Sequence, residues 1–279
     1  INEPKAPVTT ENMNEIYAIV IPWIRKTNPG RTIFIGPGRW NSMDEVGNLM
    51  IPASDSNIIV TLHNYSPGYF THQGAGWTGP HDSTTNVVYP GPPPSPMTPV
   101  PEAAAYAYVV DWFDQYNTMP TEHNPCSSNA FVWSQRAAKE WSDYYGRPIH
   151  VGEFGAIENA PHESRLRYYR EQRESMDELG IGWAMWSWKA GFRYWDEDAD
   201  AAVPGMRETM LPSPEIEVRN GTLRADGARG KTFVAERAAV ADGRVWEARD
   251  TQHLNSSSYE WSPHPSTNAS NFYRIRWQH

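Results

Sequence analysis

The run from Asn57 to His63 (NIIVTLH), rich in β-branched residues, limits what this chain can fold into. Its β-branched residues favour a strand, and the lack of polar alternation predicts burial on both faces, as in parallel sheets. A second apolar run, Thr32–Gly36, ends at a Gly-Pro-Gly turn and also predicts a buried strand. Apolar residues at helical spacing precede it in Thr10–Thr27, and Ser42–Leu49 has room for a short helix. This alternation indicates a parallel α/β fold.

The same alternation resumes after a long irregular segment. Residues 66–101 are rich in Gly, Pro, Thr and Trp, and Gly91-Pro92-Pro93-Pro94 excludes regular structure there. Long loops inside compact domains are usually functional, so we expect the same of this one. Beyond it, the apolar pattern predicts helices at Glu102–Tyr116, Ala130–Tyr145 and Glu163–Leu179, and strands at Pro148–Phe154 and Ile181–Trp186.

The pattern changes after about Pro212, where short alternating runs predict a small antiparallel β domain. The predicted strands are Glu215–Val218, Thr232–Val234, Val245–Glu247 and Phe272–Trp277. We therefore predict two domains, residues 1–211 and residues 212–279. The second resembles small β-sandwich modules that end in Phe-Tyr-Arg-Ile and follow catalytic domains in some bacterial extracellular proteins. Four of its aromatic residues form either a carbohydrate-binding face or its core: Trp246, Tyr259, Trp261 and Trp277.

The composition limits the classes of binding partner that this protein can have. A formal charge of −9 argues against nucleic acid, which is bound by positive surfaces. Thirteen Trp and fourteen Tyr are a heavy aromatic load. Most such rings pack in a core, and those beyond its needs often line a groove for flat, neutral ligands such as sugar rings. The single cysteine, Cys126, provides no internal disulfide and no zinc motif. No apolar run is long enough to span a membrane, and Ile1-Asn2-Glu3-Pro4 is unlike a signal peptide.

Polar and acidic residues stand where the predicted strands end. Glu3 and Glu153 are the two acidic examples, and His63 and Tyr65 follow the Asn57–His63 strand. In parallel α/β folds the carboxyl ends of the strands form one face, where catalytic groups converge. A pair of carboxylates there fits glycoside hydrolysis, in which one group protonates the leaving oxygen and the other attacks the anomeric carbon. Retaining enzymes separate the two by about 5–5.5 Å.

Ordered motifs now point to a family. The segments Asn2-Glu3-Pro4, His63-Asn64-Tyr65, His150–Gly155 and Trp183–Trp186 resemble, in this order, glycoside hydrolase family 5, the cellulase family of clan A. Two further stretches, Phe34–Ser42 and Tyr69–Trp77, resemble its endoglucanase branch. The resemblance covers roughly residues 1–205. It implies a (β/α)8 barrel in which this sequence provides the fourth to eighth strands.

The resemblance also implies roles for individual residues. Glu3 corresponds to the acid/base and Glu153 to the nucleophile of a retaining β-1,4-glucanase. The implied substrate-binding set is Asn2 at the sugar 2-hydroxyl, His63 near the acid/base, Tyr65 against the nucleophile and Trp186 as the platform under the sugar. Trp40, Trp77 and Tyr69 are candidate stacking groups or loop anchors, while Trp183 and Trp188 fit the core or the groove wall. Such chemistry requires no metal and no cofactor.

The sequence departs from the family at one point. Three barrel strands have no counterpart, and with them go the arginine and the histidine that the family carries on its second and third strands. Five parallel strands alone would leave two open edges. We expect a missing N-terminal segment, although a second chain that completes the barrel and a circular permutant are alternatives. Residues 206–279 show no alternation of strands and helices that could provide three βα units.

Several functions remain open at this stage. The favoured one is a secreted endo-β-1,4-glucanase acting on cellulose or mixed-linkage glucan, whose signal peptide is not in this sequence. A β-mannanase or xyloglucanase on the same scaffold is the nearest alternative, because the catalytic pair does not distinguish sugar stereochemistry at C2. A catalytically inactive carbohydrate-binding protein and a structural or adhesive module are the alternatives from other classes.

Overall fold

A computed structural model of the protein describes residues 2–212, 215–219, 222–226, 232–238, 246–253, 258–262 and 272–278. Contacts divide the chain into two compact units, residues 1–210 and residues 211–279. None of the helices in the described residues is long and apolar enough to cross a membrane.

The first unit contains a parallel four-stranded sheet in the order β1-β2-β3-β4. Its strands are Ile33–Ile35, Ile58–His63, Ile149–Glu153 and Gly182–Trp183. The predicted strands at 32–36, 57–63 and 148–154 are confirmed. The one predicted at 181–186 is regular for only two residues, although Ala184 and Trp186 still donate backbone hydrogen bonds to Val151 and Phe154 beside them.

Helices connect these strands. The predicted helix at Thr10–Thr27 is confirmed as α1, which begins at a capping box in which Thr9 and Asn12 bond reciprocally. Helices at Asn129–Tyr145 and His162–Leu179 also match the prediction, and the second ends at left-handed Gly180. The remaining helices are short or divided: Gly38–Asn41, Gly68–Thr71, Pro101–Ala104, Ala107–Thr118 and Met206–Met210, with 3₁₀ helices at Met43–Asn48, Pro80–Asp82 and Thr121–His123.

The sheet buries one face more completely than the other, which corrects the prediction of burial on both. Ile58, Val60 and Leu62 are fully buried in one core cluster with side chains of α1 and of the helix Asn129–Tyr145. On the opposite face, Thr61 is only half-buried and Phe34 is 53% exposed. The buried face is the one that packs on these helices, and within the described residues β1 pairs only with β2.

Short antiparallel strands lie near the C-terminal end of the first unit and form the sheets of the second. A two-stranded antiparallel ribbon pairs β5 (Trp195–Asp196) with β6 (Ala201–Ala202). The second unit contains two antiparallel sheets in the orders β10-β9-β12 and β11-β8-β7. Their strands are β7 (Glu215–Arg219), β8 (Thr222–Asp226), β9 (Thr232–Ala238), β10 (Glu247–His253), β11 (Ser258–Trp261) and β12 (Phe272–Gln278).

The strands predicted at 215–218, 232–234 and 272–277 lie within β7, β9 and β12. The one predicted at 245–247 overlaps β10 only at Glu247, and the sequence pattern did not predict β8 and β11. Val245, predicted to begin a strand, lies outside the described residues, as do the side chains of Tyr259 and Trp277. Of the four aromatic residues singled out in this region, Trp261 packs edge-to-face on Tyr273 and Trp246 lies under the Arg274 guanidinium. Neither contact distinguishes a core from a binding face.

Replacing Leu62 tests how far β2 depends on the buried face of the sheet. Leu62→Ala removes a fully buried side chain next to His63, so we expect it to lower the free energy of unfolding by about 2–5 kcal/mol. Met50→Ala, at a largely exposed side chain, is the matched control and should change it by less than about 0.5 kcal/mol. Denaturant titration measures both, and equal effects would contradict this assignment of the core.

Candidate active site

The carboxyl ends of β2 and β3 bring the candidate residues together. His63 and Glu153 are partners in the parallel register of these strands, which sets their side chains side by side. Glu3 reaches the same place from the segment before α1, and Tyr65 lies two residues beyond His63. The parallel sheet therefore joins His63 and Glu153, and the segment before α1 adds Glu3 to them.

His63 links the two glutamates. Its Nδ1 lies 2.8 Å from Oε1 of Glu3 and 3.5 Å from Oε2 of Glu153. When both glutamates are ionised, this nitrogen carries the hydrogen, because an unprotonated nitrogen would be repelled by both oxygens. One donor atom from each of the three side chains lies within 4.8 Å of the others, so the carboxylates are close together.

The two carboxylates differ in their surroundings. Tyr65 donates its hydroxyl to Oε2 of Glu153 at 2.9 Å. Burial, and then the nearby charge of Glu153, raise the pKa of Tyr65 far above its ordinary value, so the phenol keeps its proton and remains a donor. The Glu153 side chain is 12% exposed, whereas that of Glu3 is 31% exposed. Glu153 is thus the enclosed member of the pair, and Glu3 is the one open to water.

Both glutamates line one open cavity of about 870 Å³, within the size range of ligand sites. Six of the eight candidate residues line it: Asn2, Glu3, Tyr65, Trp77, Glu153 and Trp186. A smaller depression of about 320 Å³ is lined by the other two, Trp40 and His63, together with Tyr65. Tyr65 and His72 contribute to both, so the two depressions share a wall.

The tryptophan side chains are available for stacking to different degrees. Trp40, Trp77 and Trp186 are all exposed, as expected for rings that would face a sugar. Trp188 is exposed as well and lines the same cavity, but its ring also stacks on those of Tyr194 and Trp195, at 5.4 and 5.2 Å between ring centroids. Its contacts are those of a groove wall. Trp183 is half-buried against Phe154 and donates its indole N–H to Asp177.

A left-handed turn holds the segment that carries Glu3. Arg39, Trp40 and Asn41 all have positive φ, between 50° and 59°. Such a conformation costs a non-glycine residue about 1–2 kcal/mol. Trp40 donates its backbone N–H to the carbonyl of Pro4, and Oδ1 of Asn41 accepts the backbone N–H of Glu3. Sequence reasoning notes Asn41 as a polar residue just past a strand but does not select it as a site residue; the signal for its conformation is that asparagine tolerates positive φ.

His72 is a second residue that the sequence did not single out. The hydroxyl of Thr71 gives its one hydrogen to a carbonyl, that of Tyr65 at 2.6 Å, so it can only accept from Nδ1 of His72 at 3.0 Å. His72 also packs edge-to-face on Tyr65. Burial lowers its pKa despite the opposing charges of Asp82 and Glu3, which favours the neutral ring.

Oxygen and nitrogen donors from Glu3, His63 and Glu153 are close enough for a small cation to bridge them. These same atoms already engage one another and Tyr65 directly, which suits a pair of carboxylates acting on their own. The expectation that the chemistry needs no metal remains a prediction.

Comparison with known proteins gives the family. The model of Cellulase (glycosyl hydrolase family 5) matches residues 1–191. This chain belongs to glycosyl hydrolase family 5. Endoglucanase H of Acetivibrio thermocellus is 27% identical over 186 residues, which is 67% of this chain and 16% of that protein. Endoglucanase 3 of Fibrobacter succinogenes is 28% identical over 200 residues, which is 69% of this chain and 29% of that protein.

Solved structures agree with this membership. Cel5A of Thermotoga maritima, in complexes with cellobiose and with mannotriose, matches with a TM-score of 0.60 at 25% identity. The match covers 75% of this chain and 57% of that one. The family 5 chain described here therefore spans well under two thirds of the length of these relatives.

The titration of His72 tests the description of the cavity wall. Since burial depresses its pKa, we expect nuclear magnetic resonance to give a midpoint below the ordinary value of 6.5. The unfolded chain then binds more protons than the folded one, so this residue should make stability fall as pH drops from 6.5 toward the folded pKa.

Unfolding measurements at pH 7 and pH 5 check the sign. His72→Asn should reduce the loss of stability on acidification, whereas His123→Asn, at an exposed position, should leave it unchanged. A midpoint for His72 at or above 6.5 would contradict the burial argument.

Proposed function

We propose that this chain carries the catalytic pair of a retaining endo-β-1,4-glucanase that acts on cellulose or mixed-linkage β-glucan. The observation that supports it best is the group formed by Glu3, His63 and Glu153, whose donor atoms lie within 4.8 Å of one another. Retaining enzymes need about 5–5.5 Å between the carboxyl groups, whereas inverting enzymes need about 6.5–9.5 Å to admit a water molecule. The short spacing favours retention.

In the first step, the carboxylate of Glu153 attacks the anomeric carbon while Glu3 gives its proton to the glycosidic oxygen. The bond to the leaving sugar breaks, and the remaining glucan becomes an ester of Glu153. Glu3, now a carboxylate, takes a proton from the attacking water. Water then replaces Glu153 at the anomeric carbon, which restores both side chains and retains the β configuration.

The surroundings of each carboxylate support this division of roles. An acid/base must exchange protons with water in every cycle, and Glu3 is the more exposed of the two. A nucleophile must be held in line with the anomeric carbon, and Glu153 is enclosed and oriented by the Tyr65 hydroxyl. His63 contacts both, so we propose that it keeps them in register during proton transfer.

Substrate-binding roles follow from the positions along the cavity. We propose that Asn2, exposed beside Glu3, binds the hydroxyl next to the anomeric carbon and that Trp186 lies under the sugar at the cleavage site. Trp77, across the same cavity, would stack the next sugar. Trp40 borders the adjoining depression instead, so its contact would be with a more distant sugar.

A β-mannanase or xyloglucanase is the second candidate. The catalytic group contains nothing that selects the configuration at C2, and a Thermotoga maritima relative has been solved with both cellobiose and mannotriose. A binding protein without catalysis remains a third possibility. We also propose secretion, because a polymeric glucan cannot enter a cell.

Substitution of the carboxylates tests the function. In the full-length protein, Glu3→Gln and Glu153→Gln should each lower hydrolysis of carboxymethyl cellulose by about 100-fold or more, since each removes a group that takes part in bond breaking. Nuclear magnetic resonance of the first products should give the β anomer. Parallel assays on mannan and xyloglucan separate the rival substrates.

Glu158→Gln is the matched control, because Glu158 lines the same cavity but is paired with Arg193. It should retain activity within a few-fold of the parent. Hydrolysis that survives Glu153→Gln, or α-anomeric first products, would overturn the retaining mechanism. Retention of the parent on a cellulose affinity gel without any product would favour the binding protein.

We further propose that β1 to β4 form the fifth to eighth strands of a (β/α)8 barrel that other strands complete. In the described residues, β1 and β4 each pair with a neighbouring strand on one side only. The side chain of Phe34, in β1, is exposed. Ile19, Val20 and Trp23 of α1 are exposed as well. Open strand edges and apolar patches of this kind favour pairing with further chain, either a preceding segment or a second polypeptide.

Native mass spectrometry of the protein from its source tests the completed barrel. We expect either a polypeptide heavier than 31.7 kDa or a complex with a second chain, since both would cover the open edges. A stable, active monomer of 31.7 kDa that unfolds cooperatively would exclude the proposal.

A further inference from the structure

The left-handed turn after β1 has an unusually strained backbone. Arg39, Trp40 and Asn41 have φ values of 50°, 58° and 59°, and Glu3, to which the turn is bonded, has a φ of 47°. Strained backbone persists only where its surroundings hold it, and it clusters at functional sites. The contacts of this turn indicate which function the strained conformation serves.

The amide of Asn41 connects the acid/base segment to the sheet. The side chain is 1% exposed. Its Oδ1 accepts the backbone N–H of Glu3 at 3.0 Å, and its Nδ2 donates to the carbonyl of Thr61 in β2 at 3.4 Å. Because one partner only donates and the other only accepts, the orientation of the amide is fixed.

The space for this amide depends on Gly36. A Cβ at Gly36 would lie 2.3 Å from Nδ2 of Asn41 and 2.8 Å from the carbonyl oxygen of Thr61. Any larger residue would displace the Asn41 side chain or the strand. The glycine that ends β1 and the asparagine of the turn therefore form one unit.

The other contacts of the turn also connect it to the Glu3 segment and to β2. Trp40 donates its backbone N–H to the carbonyl of Pro4, directly after Glu3. Ser42 forms a parallel bridge with His63, whose Nδ1 contacts the Glu3 carboxylate. Glu3 is thus anchored at its backbone by the turn and at its carboxylate by His63.

We propose that Asn41 is the positioning residue for the acid/base: it fixes the strained backbone of Glu3 so that the carboxyl group reaches the glycosidic oxygen. This inference rests on the proposed function. Asn41 touches no substrate itself and acts only through Glu3. A displacement of about 1 Å at a reacting group can cost a factor of about 100 in rate.

Asn41→Gly isolates the amide, because glycine adopts positive φ without strain and the turn can still form. Asn86→Gly is the matched control: Asn86 is also left-handed, with a φ of 64°, but it is exposed and its side chain bonds only Thr85 among the described residues. Both variants are made in the full-length protein and compared on two aryl β-cellobiosides.

Leaving-group dependence separates positioning from loss of structure. Phenol needs a proton from Glu3 to leave, so kcat/KM for the phenyl glycoside should fall about 10- to 100-fold in Asn41→Gly. Dinitrophenolate leaves without one, so kcat/KM for that glycoside should change less than about threefold, while its kcat falls because water activation also needs Glu3. Azide, which attacks the glycosyl ester without a base and releases Glu153, should restore this kcat.

Asn86→Gly should match the parent on both substrates. Equal losses of kcat/KM on both glycosides in Asn41→Gly would mean a structural role and overturn the proposal, as would parental kinetics. If the parent cleaves neither glycoside, the proposed function fails, and hydrogen exchange then decides the inference without activity. Asn41→Gly should speed exchange of the Glu3 amide at least about tenfold, whereas Asn86→Gly should not. An unprotected Glu3 amide in the parent would also overturn the proposal.

Discussion

The contact of one imidazole nitrogen with two carboxylates determines the arrangement of this active site. His63 can make it because β2 and β3 run in parallel with His63 opposite Glu153, and because Glu3 is brought to the same point from the start of the chain. Two ionised carboxylates at this distance would repel each other, and an N–H between them would offset that repulsion. The hydrogen-bonding geometry of the site thus follows from the register of the sheet.

The two glutamates of this site are held in place by different kinds of structure. Glu153 is the last residue of a regular strand and is enclosed by the phenol of Tyr65, so its position is inherited from the sheet. Glu3 lies on an irregular segment that no strand of the described residues holds. Its position is set by side-chain and turn contacts instead, chiefly Asn41 and His63. Enclosure suits a nucleophile and access to water suits an acid/base.

The sheet that supports this centre is itself one-sided. Its helix-covered face is a close-packed core, whereas its other face exposes Phe34 and leaves two strand edges unpaired in the described residues. Family membership rests on residues 1–191. The relatives are longer than this chain, and the proposed catalytic group nevertheless lies within it, at the ends of β2 and β3 and in the segment before α1.

Local sequence determined the three longest helices and the strands β1, β2 and β3, because apolar periodicity and caps act over a few residues. Thus α1 begins at a capping box and ends before Asn28, and β2 coincides with a β-branched run. Ordered motifs also identified Glu3, His63, Tyr65 and Glu153. Only the tertiary structure decided that Trp40 borders a separate depression, that one sheet face is uncovered, and that Asn41 holds the Glu3 backbone. These features depend on contacts between residues far apart in the chain, and a local sequence pattern does not report such contacts.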